Sequence, residues 1–277
     1  MAMNKDDGEL LADRVNNFLS SNRKVILGVI ATLLVVVVGL TVYFSFVAKK
    51  KADDVASIEK IIFDLNKAKE DIEKEKEEAK KKEEEKKKED EGNTASYLSG
   101  DVDKSESEEE NSITKEDEND EEEPTDPKVL EKEDEIIPKL AELGMNAKGY
   151  ASYLAFYNIA DIYFARKDYT KAKDYYSKAV DAVPNSYVLG VLYFNIAVCM
   201  EELKESDDAI LEYYKKSSEV EEFPLKPRAM FNMARVQEKM GKKNEAIATY
   251  QEILENYPDN DFAFMGKTRI IDLEINK

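Results

Sequence analysis

YLAFYNIADIYFARKDYTKAKDYYSKAVDAVP, residues 153–184, holds two helical patterns in tandem. The first runs YLAFYNIADIYFARK and the second begins at Asp168. The small residues Ala160 and Ala172 let two helices approach closely, and Tyr163, Tyr169 and Tyr176 fill the space between them. Pro184 ends the second pattern, because proline cannot continue a helix. The stretch recurs: Asn158, Asn195 and Asn232 are 37 apart, as are Ala160, Ala197 and Ala234, and Ala172, Ala209 and Ala246. Three registers agreeing across three copies specify a stack of helical hairpins, each burying its apolar face on the next.

The copies fall near 151–187, 188–224 and 225–260, and 261–277 (DFAFMGKTRIIDLEINK) reads as a capping helix. The third copy has Gly241 at its turn and Pro258 at its end. The second is blurred near Lys215 to Ser218 and ends late, at Pro224. Upstream, KVLEKEDEIIPKLAELGMNAKGY (128–150) reads as the second helix of a degenerate preceding repeat, whose first helix is Ile58 to Ile72. The repeat domain therefore occupies 128–277, and the charged spacer is an insertion inside a repeat.

Residues 49–91 form a charged helix. Ile58, Ile61, Leu65, Ala68, Ile72 and Ala79 make an apolar stripe at three- and four-residue steps. That stripe has two uses: to lie on the repeat domain, or to pair as a coiled coil in a homodimer. Residues 92–127 carry 2 basic and 14 acidic side chains with few apolar ones, a composition that stays unfolded. Asp101 and Asp103 resemble the opening of a Ca²⁺ loop, but Glu106 stands where the loop needs Gly and Ser112 where it needs Glu, so no metal is expected.

From Val25 to Ala48 there are 24 consecutive uncharged residues. A bilayer core needs about 20 apolar residues in a helix, so 25–48 reads as a single transmembrane helix after a tail at 1–24. Arg23 and Lys24 flank one end and Lys49, Lys50 and Lys51 the other; Tyr43 and Phe46 sit at interfacial depth. The run exceeds a signal peptide's apolar region and ends without a small-residue cleavage site. Counting nearby positive charges slightly favours a cytoplasmic C-terminus.

Composition removes several classes of function. With no His, no Trp and one Cys in 277 residues, there is no imidazole base, Ser-His-Asp or Cys-His pair, intramolecular disulfide or CxxC metal motif. The net charge of −19 disfavours nucleic-acid binding. Cys199, within LYFNIAVCM, reads as a small core residue. No catalytic residue and no cofactor is expected; a binding or scaffolding protein remains.

The repeat residues resemble the tetratricopeptide repeat. Phe156, Ile159, Ala160, Tyr163, Ala172, Tyr176, Ala179 and Pro184 follow its pattern in the first copy, with Lys167 in place of the turn glycine. Ile196, Ala197, Ala209 and Tyr213 follow it in the second, and Met233, Ala234, Gly241, Ala246, Tyr250 and Pro258 in the third. The order of tail, span, stripe and repeats is similar to the YfgM family of ancillary SecYEG translocon subunits. That likeness implies a single-pass inner-membrane protein with a periplasmic repeat domain. Its partners would be protein or peptide clients, translocon subunits or periplasmic chaperones. The alternative is a structural scaffold or assembly factor with a cytoplasmic repeat domain. By the same resemblance a concave groove is lined by Leu154, Tyr157, Asp161 and Phe164, then Val191, Phe194, Val198 and Glu201, then Arg228, Phe231, Arg235 and Glu238. The aromatic row Tyr157, Phe194 and Phe231 would anchor a peptide, and Arg228 and Arg235 would meet its acidic groups. The Lys and Asn pattern by which some such repeats grip C-terminal carboxylates is missing from these positions.

Overall fold

The computed structural model describes residues 14–95, 126–184 and 187–275, with side chains only to residue 82 in the first stretch. Most of the acidic segment expected to be unfolded, 92–127, lies outside the described residues. The chain divides into two units, Met1–Asp54 and Val55–Lys277. Every element among the described residues is an α-helix.

Residues 14–21 are helical, and α1 follows at Arg23–Ala95. Its first part contains the apolar run, with Leu33, Val35 and Val42 exposed. The hydroxyls of Thr32 and Thr41 donate back to the carbonyls of Gly28 (2.9 Å) and Val38 (2.8 Å), so their polar groups are satisfied within the helix. Such internal satisfaction is what a hydrocarbon environment demands. This is one helix long and apolar enough to cross a membrane.

In the second unit α2 (Pro127–Asn146) starts on Asp126, whose carboxylate accepts from the Lys128 amide, with proline at the first helical position. Three hairpins follow: α3 (Tyr150–Ala165) with α4 (Tyr169–Ala182), α5 (Leu189–Glu202) with α6 (Asp207–Glu219), and α7 (Lys226–Lys239) with α8 (Lys243–Asn256). Helix α9 (Asp261–Ile275) caps the stack through Gly266, where an added Cβ would lie 3.2 Å from the Tyr250 ring. Each hairpin is filled by a fully buried tyrosine: Tyr176, Tyr214 and Tyr250. A ring of this kind removes roughly 150–250 Å² from water. That is a gross gain of about 4–6 kcal/mol at 25 cal/mol per Å².

The hairpin turns share a left-handed residue, Lys167 (φ 59°), Lys204 (φ 54°) and Gly241 (φ 72°). The first and third turns have three residues, 166–168 and 240–242; the second has four, 203–206. Helix α6 is one residue shorter than α4 and α8, which restores the 37-residue step at α7. The insertion shifts the buried stripe of α6. Ile210, Tyr214 and Ser217 are buried where Ala172, Tyr176 and Ala179 are in α4. The assignment of Ala209 and Tyr213 to those positions is thus corrected to Ile210 and Tyr214. The blurred small position is Ser217, whose hydroxyl donates to the Gly190 carbonyl at 2.7 Å. Gly190 is required there, since an added Cβ would meet the Phe223 ring at 2.4 Å.

The stripe of α1 is used within the chain. Ile58 and Leu65 are buried in one cluster with Ile137 and Leu140 of α2 and Ile159 and Ile162 of α3. Glu133, 2% exposed, fastens the three helices. Its carboxylate takes the Lys69 ammonium at 2.5 Å and the Arg166 Nε at 2.7 Å. Arg166 also reaches Asp134 (2.6 Å) and the Leu130 carbonyl (3.0 Å). Of the stripe's six residues Ile58 and Leu65 are buried in this packing, Ile61, Ala68 and Ile72 are half-buried and Ala79 is exposed.

Candidate peptide-binding face

Helices α3, α5 and α7 present equivalent faces. Tyr157, Asp161 and Phe164 are half-buried on α3, Val198 is half-buried on α5, and Arg228 and Arg235 are exposed on α7. Phe194 and Phe231 are not groove anchors, since they are only 4% and 9% exposed. Phe194 packs edge-on to Tyr214 at 5.6 Å between ring centres, and the Arg228 guanidinium covers it at 5.0 Å. Phe231 lies 5.3 Å from Tyr250 and 5.5 Å from Phe262 of the cap. The neighbouring hairpins cross closely enough that this row falls into the seam between helices. Only Tyr157 keeps a partly open ring.

One of the two arginines is also committed. Arg235 forms a forked pair with Glu201, at 2.7 and 2.6 Å, which commits its charge within the chain, whereas Arg228 is exposed and lies over the Phe194 ring.

What the three faces share is a tyrosine–acid bond. The Tyr176 hydroxyl donates to Asp161 at 2.5 Å, Tyr214 to Glu201 at 2.6 Å, and Tyr250 to Glu238 at 2.6 Å. Burial pushes all three phenols well above the ordinary tyrosine range. Arginine from the next helix completes two of the rungs: Arg235 on Glu201, and Arg269 of α9 on Glu238. Burial alone would raise the Glu238 carboxyl, but bonds from Arg269 and Tyr250 hold it below the usual carboxylate range. Asp161 differs: burial dominates and raises it, despite donors from Tyr176 and Tyr157.

Beside Asp161 runs a tyrosine file, Tyr150 to Tyr153 at 5.5 Å and Tyr153 to Tyr157 at 5.6 Å. Burial lifts Tyr153 and Tyr157 each to about 12. Tyr150 and Tyr187 are exposed. Sequence reasoning missed the tyrosine–acid rungs. Their signal was an acid 12 to 15 residues ahead of each buried tyrosine, a spacing that varies too much to show as a period.

Cys199 is buried, and burial raises its thiol to about 12, which makes it a poor nucleophile. Asn158 donates to the Leu154 carbonyl of its own helix at 2.7 Å. Among the described residues no group of three or more His, Cys, Asp or Glu side chains is placed to hold a metal.

A stack of helical hairpins with a ladder of polar side chains along one face defines a helical repeat fold. Residues 153–186 and 228–260 match family models described as tetratricopeptide repeat, so these two segments are similar to that repeat. It is similar to a TPR repeat-containing protein of Treponema pallidum, 38% identical over 149 residues, covering 53% of this chain and 62% of that one. A TPR repeat-containing protein of Methanocaldococcus jannaschii is 31% identical over 101 residues, covering 36% of this chain and 31% of that one. The chain thus spans less than two thirds of the curated relatives it matches. Among solved structures, the first TPR of Spaghetti (RPAP3) bound to an HSP90 peptide is 22% identical, with a TM-score of 0.39, covering 46% of this chain and 97% of that one. YrrB, a TPR protein with an unusual peptide-binding site, is 18% identical, with a TM-score of 0.38, covering 52% of this chain and 79% of that one.

Proposed function

We propose that this chain is a membrane-anchored module that holds protein or peptide segments on the face of α3, α5 and α7, and that it assists protein export beside the translocon. Tetratricopeptide repeats mediate protein–protein or peptide interactions. The observation that carries the reading is the tyrosine–acid ladder along that face. It sets one acid per repeat along the face, Asp161, Glu201 and Glu238, the latter two ion-paired and the first without an ion pair among the described residues, where an extended chain can run past one repeat at a time. An apolar helix at residues 25–48 would keep this face near a membrane and raise its local concentration over clients there. The export role and a repeat domain outside the cytoplasm rest on the YfgM-like order of segments.

Topology tests the reading first. Ser177 is exposed on α4, so Ser177→Cys in a Cys199→Ala background gives one accessible thiol. Intact spheroplasts treated with a membrane-impermeant maleimide should be labelled before lysis. Labelling only after lysis puts the repeats in the cytoplasm and ends the export reading. A photo-crosslinking residue at Val198 should then capture many unrelated chains together with translocon subunits; a single stoichiometric partner would instead mark a scaffold.

A further inference from the structure

Glu201 and Glu238 each have a tyrosine donor and an arginine from the following helix. Asp161 has the tyrosine donor but no arginine. Asp161 stands one turn before Phe164, the residue 37 before Glu201, and the residue 34 after Asp161, the offset of Arg235 from Glu201, is the uncharged Asn195. The nearest candidates are engaged elsewhere: Lys69 with Glu133, Arg166 with Glu133 and Asp134, and Lys173 with Glu205. Among the described residues Asp161 has no ion-pair partner. It is half-buried and accepts from the Tyr176 hydroxyl at 2.5 Å. The half-buried Tyr157 ring lies 5.9 Å from the ring of Tyr176, the donor to Asp161. An acid set among aromatic rings is the surrounding that takes an organic cation, by charge pairing and by the ring faces.

We propose that Asp161, with Tyr157, binds the guanidinium or ammonium group of a basic side chain in the segment held by the repeats. The ligand's cation supplies to Asp161 the counter-charge that Arg235 and Arg269 supply to Glu201 and Glu238. This rests on the peptide-binding reading above and adds a polarity to it: the acid on α3 lacks a counter-ion among the described residues, so the segment is basic where it meets α3.

The test uses the full chain in nanodiscs and an array of decapeptides, made as matched triplets with Arg, citrulline or Glu at the central position. Citrulline keeps the shape of arginine and loses its charge. The Arg member of the bound triplets should be held about tenfold more tightly than its citrulline twin, the size of one desolvated cation contact. Asp161→Asn, which can still accept from Tyr176, should erase the difference while its melting curve shows the fold intact. Bound triplets with equal Arg and citrulline affinities, or a preference for Glu, overturn this inference and leave the peptide-binding reading standing. If no peptide binds at all, both fall.

Discussion

The Tyr214 hydroxyl donates to Glu201 at 2.6 Å from inside the second hairpin, while its chain neighbour Tyr213 lies half-buried against Tyr193 at 6.1 Å. One residue of register separates a core ring from a surface one. Tyr214→Ala should therefore cost about 3–5 kcal/mol, the range for emptying a buried aromatic site. Tyr213→Ala should cost about 1 kcal/mol or less. Urea denaturation of both variants decides it; the reverse order would restore the uninterrupted 37-residue register.

The left-handed turn residues make a second contrast. Lys204 holds φ 54° with a side chain, where Gly241 holds φ 72° without one. Lys204→Gly relieves the crowding of Cβ against the backbone, and Gly241→Ala introduces it. The first should raise stability by about 0.5–1 kcal/mol and the second lower it by about 1 kcal/mol. Melting temperatures that move in the opposite directions would show that the turn is set by something other than backbone sterics.

Glu133 should behave as a keystone. Its loss leaves Lys69 and Arg166 facing an emptied, buried position. Arg166 keeps Asp134 and the Leu130 carbonyl and Lys69 is partly exposed, so the loss is that of charged hydrogen bonds, about 1.5–3 kcal/mol. Glu133→Ala should lower stability by that order and speed hydrogen exchange in 58–72 before the hairpins loosen. Unchanged protection of 58–72 would mean that the apolar stripe alone holds α1 in place.

Asp161 and Glu238 should titrate in opposite senses. The Glu238 carboxyl is lowered from 4.5, so its contribution is present above pH 4.5 and fades as pH falls through its lower folded value. The Asp161 carboxyl is raised from 3.8, so the folded state binds its proton more tightly, and ionisation above the raised value costs stability. Asp161→Asn should thus raise the melting temperature at pH 7, with the gain disappearing below pH 3.8. Glu238→Gln should lower it at pH 7, with the loss shrinking in acid. A drop in melting temperature for Asp161→Asn at pH 7 would show that the charged form is the better partner for Tyr176.

Parts of this arrangement were legible in the chain itself. The recurrence of Asn158, Asn195 and Asn232 marks α3, α5 and α7, because the first helix of each hairpin ends on the same step of 37, at Ala165, Glu202 and Lys239. The second helices were harder. Ala209 lies 37 from both Ala172 and Ala246, so the alignment looked complete while the extra residue at 203–206 had moved the buried face to Ile210. A compensated insertion leaves the period intact and changes the register only inside the repeat. The aromatic row was misplaced for a related reason: spacing tells which side of α5 carries Phe194, but not how near α7 brings Arg228.

By itself, then, the sequence determined the periodic apolar pattern, the uninterrupted apolar run at 25–48 and the absence of histidine. These follow from residue identity along one dimension, and they set an all-helical repeat with one candidate membrane span. Only the tertiary structure decided that Phe194 and Phe231 are core, that Glu201 and Glu238 own their arginines, and that Asp161 does not. Those outcomes depend on distances between side chains about 30 residues apart, which the packing angle of successive hairpins fixes.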